Sequence, residues 1–367
     1  MDHPEPKSQK LQQVGNTKLF LPGLGIGCAP LGGIWEKVAI NDALDTLIEA
    51  AESHGLTYFD TAPWYGNGCS EARLGIAANE ISSNNNSRII KISTKIGKFL
   101  DPATKEANVG PWVGGYNLKM RLDYSYEGII QQHRESCLRL GLPSVDALVI
   151  HDLDFRQIGE KTTEHRNQLI DSHKGGLKAL LNLKRSGKIK AVGIGCNSFD
   201  WGSLDTCKVV FEAARALEIA EGTNVKALDY VLCAGDFNLI SQRAYDELIP
   251  LCEKYHLSLV IGAAYGGNGI LATGVKNNPE LKGNLKFNYD PASKEILDKV
   301  ALIEECCEKH GVSLGAAALQ FPLKHPLVKC VLAGVKNKEE LRLAVEYMNE
   351  SIPNIFWNEL KQQKLIR

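Results

Sequence analysis

One stretch decides the fold: Tyr58-Phe59-Asp60-Thr61-Ala62-Pro63-Trp64-Tyr65-Gly66. An apolar run that begins at Leu56 ends here in the carboxylate of Asp60, and the chain then turns through a proline and a glycine. The pattern predicts a strand ending at Asp60, a loop that carries Tyr65, and a helix for which Ser70 is the expected cap. Because a buried carboxylate is costly without a partner, a cation and hydrogen-bond donors must converge on Asp60.

Two later strand-like runs also end in titratable side chains, one in Lys95 and the next in His151. Each residue taken alone has an ordinary role as a turn, surface or core residue. Together they are informative, because α/β barrels place their chemistry at the carboxyl ends of the strands. We therefore expect Asp60, Lys95 and His151 to form a catalytic group with Tyr65.

Strand-like and helix-like segments alternate along the chain, which indicates a parallel sheet. The α/β pattern predicts a (β/α)8 TIM barrel with an N-terminal β-hairpin over residues 11–21 and extended active-face loops over 96–125 and 265–291. Residues 157–171 are polar and expected to be irregular. The eight strands are expected at residues 24–33, 56–60, 89–95, 145–151, 189–195, 230–234, 257–263 and 328–333.

The expected domain organisation has three parts: a disordered N-terminus over residues 1–10, a single barrel domain over 11–350, and a helical tail over 351–367. The run Gly25-Ile26-Gly27 is not a phosphate-binding fingerprint, because Pro30 stands where a helix would have to open.

Composition excludes several functional classes. Lys and Arg number 42 against 43 Asp and Glu, giving a net charge of −1, so neither nucleic acid nor an anionic membrane is an expected partner. No apolar run approaches a membrane span, and we expect a cytoplasmic monomer or homodimer. The 10 cysteines are scattered without Cys-x-x-Cys pairs, which favours reduced, buried thiols. No metal site is expected.

The chain resembles an aldo-keto reductase. The resemblance rests on Phe59 to Ala62, Tyr65-Gly66, Ser70-Glu71, Lys95 and His151, and it extends from about residue 24 to about residue 348. It is strongest to the subgroup of sugar dehydrogenases that act on D-threo-aldoses such as L-fucose and on L-galactose. It implies oxidation of the anomeric carbon of an aldose to the lactone, with NAD as cofactor and NADP possible.

The residues also predict roles in that reaction. A tyrosine phenol has a pKa of about 10. We expect Lys95 to lower the pKa of Tyr65, Asp60 to hold the lysine, and His151 to orient the substrate oxygen, so that Tyr65 is the general acid or base.

The resemblance further implies the cofactor and substrate contacts. Gly262 stands where many family members stack a tyrosine on the nicotinamide, so Phe237 or Tyr265 is the expected substitute. Glu340 favours NAD, although Lys336 is close enough to bind a 2′-phosphate. The expected substrate contacts are Trp64, Trp112 and Tyr124. The expected cofactor contacts are Gly27, Cys28, Asn197, Ala263, Tyr265, Asn268, Gly269, Leu271, Gly334, Val335, Lys336 and Glu340.

Two alternatives stay open. One is an NADPH-dependent reductase of aldehydes such as pyridoxal or reactive carbonyls. The other is a non-catalytic regulatory subunit that binds nicotinamide with the same residues. In each case the partner is a small molecule.

Overall fold

Eight parallel strands form a closed barrel in which each strand pairs with its chain neighbours and the last pairs with the first. The computed structural model describes residues 6–84, 89–107, 109–276 and 285–367. The predicted (β/α)8 barrel is thereby confirmed. The barrel strands, labelled β1 to β8, are Leu24–Gly27, Tyr58–Asp60, Lys91–Ile96, Ala147–Ile150, Ala191–Cys196, Tyr230–Ala234, Ser258–Gly262 and Val328–Gly334.

Helices surround the barrel and pack apolar faces against its outer side. Those of the described part, labelled α1 to α14, are Ile40–Glu52, Cys69–Asn84, Tyr126–Leu140, Phe155–Ile158, Thr162–Ile170, Gly176–Arg185, Ser203–Ala220, Ala244–Glu247, Ile249–Tyr255, Ile270–Thr273, Lys294–His310, Leu314–Gln320, Lys338–Asn349 and Asn354–Gln362.

The predicted N-terminal hairpin closes one end of the barrel. Gln12–Gln13 pairs with Phe20–Leu21 in antiparallel fashion. Apolar side chains of this hairpin share one buried cluster with the residues that fill the barrel interior, among them Tyr58 and Tyr230. Because packed side chains fill that end, the carboxyl ends of the strands are the end available for chemistry.

The connection after β3 differs from the irregular loop that was expected. Lys98–Pro102 and Leu118–Leu122 form an antiparallel pair, named here the lid hairpin. Between its strands Trp112 is buried and bridges back to Ile34 near β1. Cross-strand hydrogen bonds satisfy the backbone of these two strands, so this part of the connection is regular structure.

The segment after β4 also differs from expectation, since residues 157–171 are largely helical. The Asp154 side chain caps α4 by accepting from the Gln157 amide at 3.0 Å. Leu169 on α5 is fully buried in the outer core. Residues 157–171 are mostly polar, so the sequence did not indicate a helix. The cap at Asp154 and the buried side chain of Leu169 favour helix over an irregular loop.

The start of the chain is more ordered than expected over residues 6–10. The Lys7 ammonium donates to Gln320 Oε1 at 2.7 Å, and Ser8 is buried against Asn349. Residues 1–5 lie outside the described part. The expectation of disorder is therefore wrong for residues 6–10, because these contacts fix the backbone.

Two further observations concern the surface and the thiols. All ten cysteines are free and buried, including the adjacent Cys306 and Cys307 on α11. Across the described ranges, none of the helices has both the length and the apolar character that a membrane crossing requires.

Candidate active site

A buried ion pair lies at the carboxyl ends of β2 and β3. The Lys95 ammonium is 2.5 Å from Asp60 Oδ1 and donates to the Thr61 carbonyl at 2.8 Å. The second carboxylate oxygen of Asp60 accepts from Ser93 Oγ at 2.6 Å. Both charged side chains are only 3–4% exposed. A buried charge needs this degree of pairing, so the two strands fix the lysine in one position.

Tyr65 lies directly above this pair. The loop that carries it is held by Ser70, whose hydroxyl bonds Thr61 Oγ1 and the Cys28 carbonyl. Ser70 therefore fastens the loop from inside α2 and is not the helix cap that was expected. The Lys95 ammonium is 4.6 Å from the centroid of the half-buried Tyr65 ring.

His151 completes the group at the end of β4. Its ring meets the Tyr65 ring edge-on, with centroids 5.7 Å apart. The Tyr124 hydroxyl donates to the His151 carbonyl at 2.8 Å, which fixes the backbone. The structure thus brings together Asp60, Tyr65, Lys95 and His151, the four residues predicted to be catalytic.

A second buried ion pair lies behind His151 and was not predicted. Lys98, on the lid hairpin, donates to Asp152 Oδ2 at 2.7 Å, and its side chain is 2% exposed. The same carboxylate oxygen is 3.2 Å from His151 Nε2. The Lys98 ammonium also lies 3.5 Å from the centroid of the Trp64 ring. Lys98 therefore links the lid hairpin to the histidine and to the loop of Tyr65.

Asn197 at the end of β5 joins this network. Its amide nitrogen donates to Asp152 Oδ1 at 2.9 Å and to Asp154 Oδ2 at 2.8 Å. Burial, together with the charge of Asp152, raises the pKa of Asp154 to about 6. Since both amide hydrogens are committed to carboxylates, the Asn197 side-chain oxygen is the atom left to accept a hydrogen bond from a ligand.

The electrostatics of Tyr65 differ from the prediction. Burial raises the pKa of Tyr65 well above its ordinary value, and the Asp60 and Asp152 carboxylates raise it further. The expected lowering by Lys95 is wrong, because desolvation and two nearby carboxylates outweigh one ammonium that already pairs with Asp60. Tyr65 is therefore a neutral phenol at physiological pH.

His151 is neutral for a related reason. Burial lowers its pKa well below the usual value; Asp152 opposes this, and the Lys98 and Lys95 ammonium groups add to it. Within the described residues, His151 Nδ1 and Trp112 Nε1 are buried polar atoms without a protein hydrogen-bond partner. Both rings pack against Tyr65, so two polar atoms beside the phenol are left to bind a ligand.

The structure separates the three predicted substrate contacts. Trp64 and Trp112 pack edge to face with centroids 5.5 Å apart and form an aromatic wall beside Tyr65. Tyr124 is fully buried beneath His151 and supports its backbone. The assignment of Tyr124 as a substrate contact is wrong, because it presents no surface to a ligand.

The predicted cofactor contacts all lie at or just after the carboxyl ends of β1, β5, β7 and β8. Side chains of Cys28, Leu271 and Val335 are buried, so these three residues offer only backbone groups. The loop after β7 has left-handed backbone at Ala263 and at Gly269. Such a loop exposes amide groups to a bound phosphate, and α13 begins nearby with its own free amides.

The two residues predicted to substitute for the nicotinamide-stacking tyrosine lie in different surroundings. Phe237 is buried in the outer core against Tyr245. Burial raises the pKa of Tyr265, with Glu340 contributing, which places Tyr265 toward α13. Tyr289, on a hairpin formed by residues 286–291, is close enough to Tyr65 for their charges to interact. Tyr289 is thus the aromatic residue that sequence reasoning missed.

The chain matches a known family over most of its length. The profile of the Aldo/keto reductase family matches residues 23–364, and the chain belongs to this family. It is therefore an oxidoreductase of a class that uses a nicotinamide dinucleotide.

Relatives and solved structures extend the comparison. The chain is 34% identical to pyridoxal 4-dehydrogenase of Microbacterium luteolum, covering 98% of this chain and 99% of the relative. It is 30% identical to D-threo-aldose 1-dehydrogenase of Pseudomonas sp, covering 95% of each. A glycerol dehydrogenase structure from Gluconobacter oxydans superposes with a TM-score of 0.66 at 19% identity, over 96% of this chain and 94% of that one, which supports the fold alone.

Replacing Lys95 by Met is expected to cost about 3–5 kcal/mol of unfolding free energy, because the Asp60 carboxylate is left buried without its cation. Adding Asp60→Asn in the same chain should recover most of that loss without restoring turnover. Urea unfolding of the two variants and the wild type measures the effect. Equal stability of the single and double variants would contradict the pairing.

Replacing Lys98 by Met is expected to raise the pKa of His151, because the Lys98 charge lowers it while Asp152 raises it. Lys98→Arg is the control that keeps the charge. An NMR pH titration of the histidine ring protons follows the change directly. If the His151 resonance titrates identically in wild type and Lys98→Met, Lys98 has no electrostatic influence on it.

Proposed function

We propose that this protein is an NAD(P)-dependent dehydrogenase that oxidises the anomeric carbon of an aldose, in its cyclic hemiacetal form, to a lactone. One observation carries the proposal. A neutral phenol, Tyr65, lies above a buried Asp60–Lys95 pair and beside two unpartnered polar atoms, His151 Nδ1 and Trp112 Nε1. This arrangement suits a small polar substrate with hydroxyl groups on neighbouring atoms.

Each residue has a defined role in this proposal. In the oxidation direction Tyr65 first loses its own proton to solvent. The anomeric hydroxyl then gives its proton to the Tyr65 phenolate as the anomeric carbon loses hydride, which a bound nicotinamide would take up. Neutral His151, whose Nε2 faces Asp152, accepts at Nδ1 a hydrogen bond from a neighbouring hydroxyl of the substrate and so orients the reacting carbon. Lys95 stabilises this Tyr65 phenolate before the proton transfer, and Asp60 holds the lysine in place.

The aromatic wall supports a ring-shaped substrate. Trp64 and Trp112 meet at an interplanar angle of 85°, so one ring presents its face where the other presents its edge. The apolar face of a sugar ring packs well on such a surface, while its hydroxyls reach polar atoms at the rim.

Pyridoxal is the second candidate, favoured by the relative at 34% identity whose printed name is pyridoxal 4-dehydrogenase. Its aldehyde stands next to a hydroxymethyl group, so it also closes to a cyclic hemiacetal. Oxidation of that hemiacetal requires the same proton acceptor and the same hydride transfer. An aldose and pyridoxal would therefore undergo the same reaction and differ in the ring, sugar or pyridine, that packs against the aromatic wall.

A substrate screen distinguishes the candidates. Reduced nicotinamide is followed by absorbance with a panel of aldoses and with pyridoxal, using both cofactors. Each substrate has a control that cannot present the hemiacetal hydroxyl: the methyl glycoside of the sugar, and pyridoxal phosphate. Lactone formation that is absent with the controls supports the proposal. If no hemiacetal is turned over, the regulatory-subunit alternative is favoured; activity only in reduction of open-chain aldehydes favours the reductase alternative.

NAD is the proposed preferred cofactor. Lys336, the lysine predicted to be close enough to bind a 2′-phosphate, pairs with Glu36 at 2.6 Å and lies 3.5 Å from Glu340. Glu340 also accepts from the Lys336 backbone amide at 3.0 Å, at the start of α13. Two carboxylates thus neutralise the one lysine, which disfavours a phosphate dianion.

Replacing Tyr65 by Phe is expected to lower kcat about 10²- to 10⁴-fold, the usual contribution of a general acid or base. Cofactor affinity should hardly change, because the hydroxyl is needed for proton transfer. Steady-state kinetics and a fluorescence titration with the cofactor measure the two effects. A loss of activity below about tenfold is inconsistent with the assigned role.

Because the pKa of Tyr65 is raised, the rate of oxidation should increase with pH. A base that is mostly protonated at neutral pH makes oxidation faster as pH rises, about tenfold per unit below its pKa. The reverse reaction uses the protonated phenol and should be nearly flat over the same range. Rates measured in both directions from about pH 6 to about pH 9 test this. A flat oxidation profile would show that Tyr65 is already deprotonated.

Replacing Glu340 by Arg is expected to shift preference toward NADP, because a cation then faces the 2′-phosphate. Glu339→Arg, in the same helical turn but exposed, is the matched control. The measurement is the ratio of kcat/KM for NAD and NADP, where each tenfold is about 1.4 kcal/mol. A wild type that prefers NADP, or a control that shifts the ratio equally, overturns the assignment.

A further inference from the structure

A cluster of metal-ligand side chains lies on the outside of the barrel, apart from the candidate active site. Cys306 and His310 are one helical turn apart on α11, so they share a face of that helix. Glu359 reaches them from α14. One ligand atom from each of these three residues lies within 4.8 Å of the other two.

We propose that Cys306, His310 and Glu359 bind a divalent transition metal, of which Zn²⁺ is the best match. Zinc takes thiolate, imidazole and carboxylate ligands together, and a site with three protein ligands leaves the fourth position to water. Harder ions such as Mg²⁺ and Ca²⁺ prefer all-oxygen sites, so the thiol and the imidazole argue against them.

The geometry needs only small side-chain adjustments. His310 Nε2 and Glu359 Oε2 are 2.7 Å apart. Bonds of about 2.0–2.3 Å in a tetrahedral site separate ligand atoms by about 3.3–3.7 Å, so this pair opens slightly and the thiol moves inward. The surroundings hold the ligands in place, since the His310 ring packs edge-on against Phe356 with centroids 6.0 Å apart.

The cluster is partly shielded from solvent. Cys306 is 2% exposed, while the His310 and Glu359 side chains are 11% and 17% exposed. The thiol is shielded, and the two other ligands border solvent, which provides an entry path. Lys309 also pairs with Glu359, at 2.8 Å, but its side chain is 63% exposed and can turn into solvent when the metal enters. Binding then exchanges the Lys309 contact, the His310–Glu359 hydrogen bond and the thiol proton for three metal bonds.

The consequence is a metal-dependent attachment of the C-terminal helix. Because the ligands come from α11 and α14, a bound ion ties the two helices together in the folded state only. A ligand that binds only the folded state raises its stability by mass action. The sequence signal, Cys306-x-x-x-His310, was overlooked because its third member is far along the chain. If the proposal is correct, the expectation of no metal site is wrong.

The chain offers a matched control in Cys307. It is buried like its neighbour, at 4% exposure, but the helix turns about 100° per residue and directs it away from the cluster. The full-length protein is stripped with a chelator and titrated with Co²⁺, whose absorption reports tetrahedral thiolate coordination. Calorimetric titration with Zn²⁺ then gives stoichiometry and affinity.

We expect one Co²⁺ per chain with a thiolate charge-transfer band in wild type and in Cys307→Ala. Cys306→Ala should remove the band and weaken Zn²⁺ binding at least tenfold. Zn²⁺ should raise the Tm of wild type and Cys307→Ala but not of Cys306→Ala. No thiolate band in wild type, or a band that survives Cys306→Ala, overturns the proposal. If Cys306→Ala fails to fold, the partly exposed Glu359→Gln decides: unchanged Zn²⁺ affinity there also overturns it.

Discussion

The buried ion pair between Asp60 and Lys95 is the interaction on which the rest of the site depends. Each partner would be costly to bury alone, and each lies at the end of a strand that the barrel holds in register. Ser93 and the Thr61 carbonyl take up the remaining hydrogen-bonding capacity. The pair is therefore rigid, and the Tyr65 ring above it faces a charge that does not move.

A second buried ion pair connects the lid hairpin to the candidate active site. Lys98 crosses from that hairpin to Asp152, and Asp152 in turn contacts His151 and Asn197. Buried networks of this kind are stable only when every member is satisfied. If the lid hairpin moved away, the Asp152 carboxylate beside His151 would lose its cation, Lys98. The position of the lid hairpin and the electrostatics of the proposed substrate-orienting histidine therefore depend on each other.

Sequence reasoning reached the parts of the site that depend on local pattern. Asp60, Lys95 and His151 end apolar runs, so their convergence followed from the barrel topology. Lys98 was missed because its burial requires the backbone turn at Gly97, with φ +107°, where a Cβ would lie 2.1 Å from the Tyr124 ring. The predicted direction of the Tyr65 pKa shift was wrong because burial and the proximity of Asp152 depend on the folded structure and cannot be seen in the local sequence. The helices after β4 were not predicted because their residues are mostly polar and their cap and buried face are visible only in the folded structure.

The central claim is that Tyr65 is a neutral phenol held above a fixed cation. An NMR titration of protein labelled at the tyrosine ring carbon next to the hydroxyl tests it most directly. Tyr65→Phe assigns the signal among the 11 tyrosines. The account predicts that the Tyr65 resonance stays in its protonated form up to at least about pH 10, the ordinary phenol pKa. A Tyr65 resonance that titrates at about pH 8 or below would contradict it.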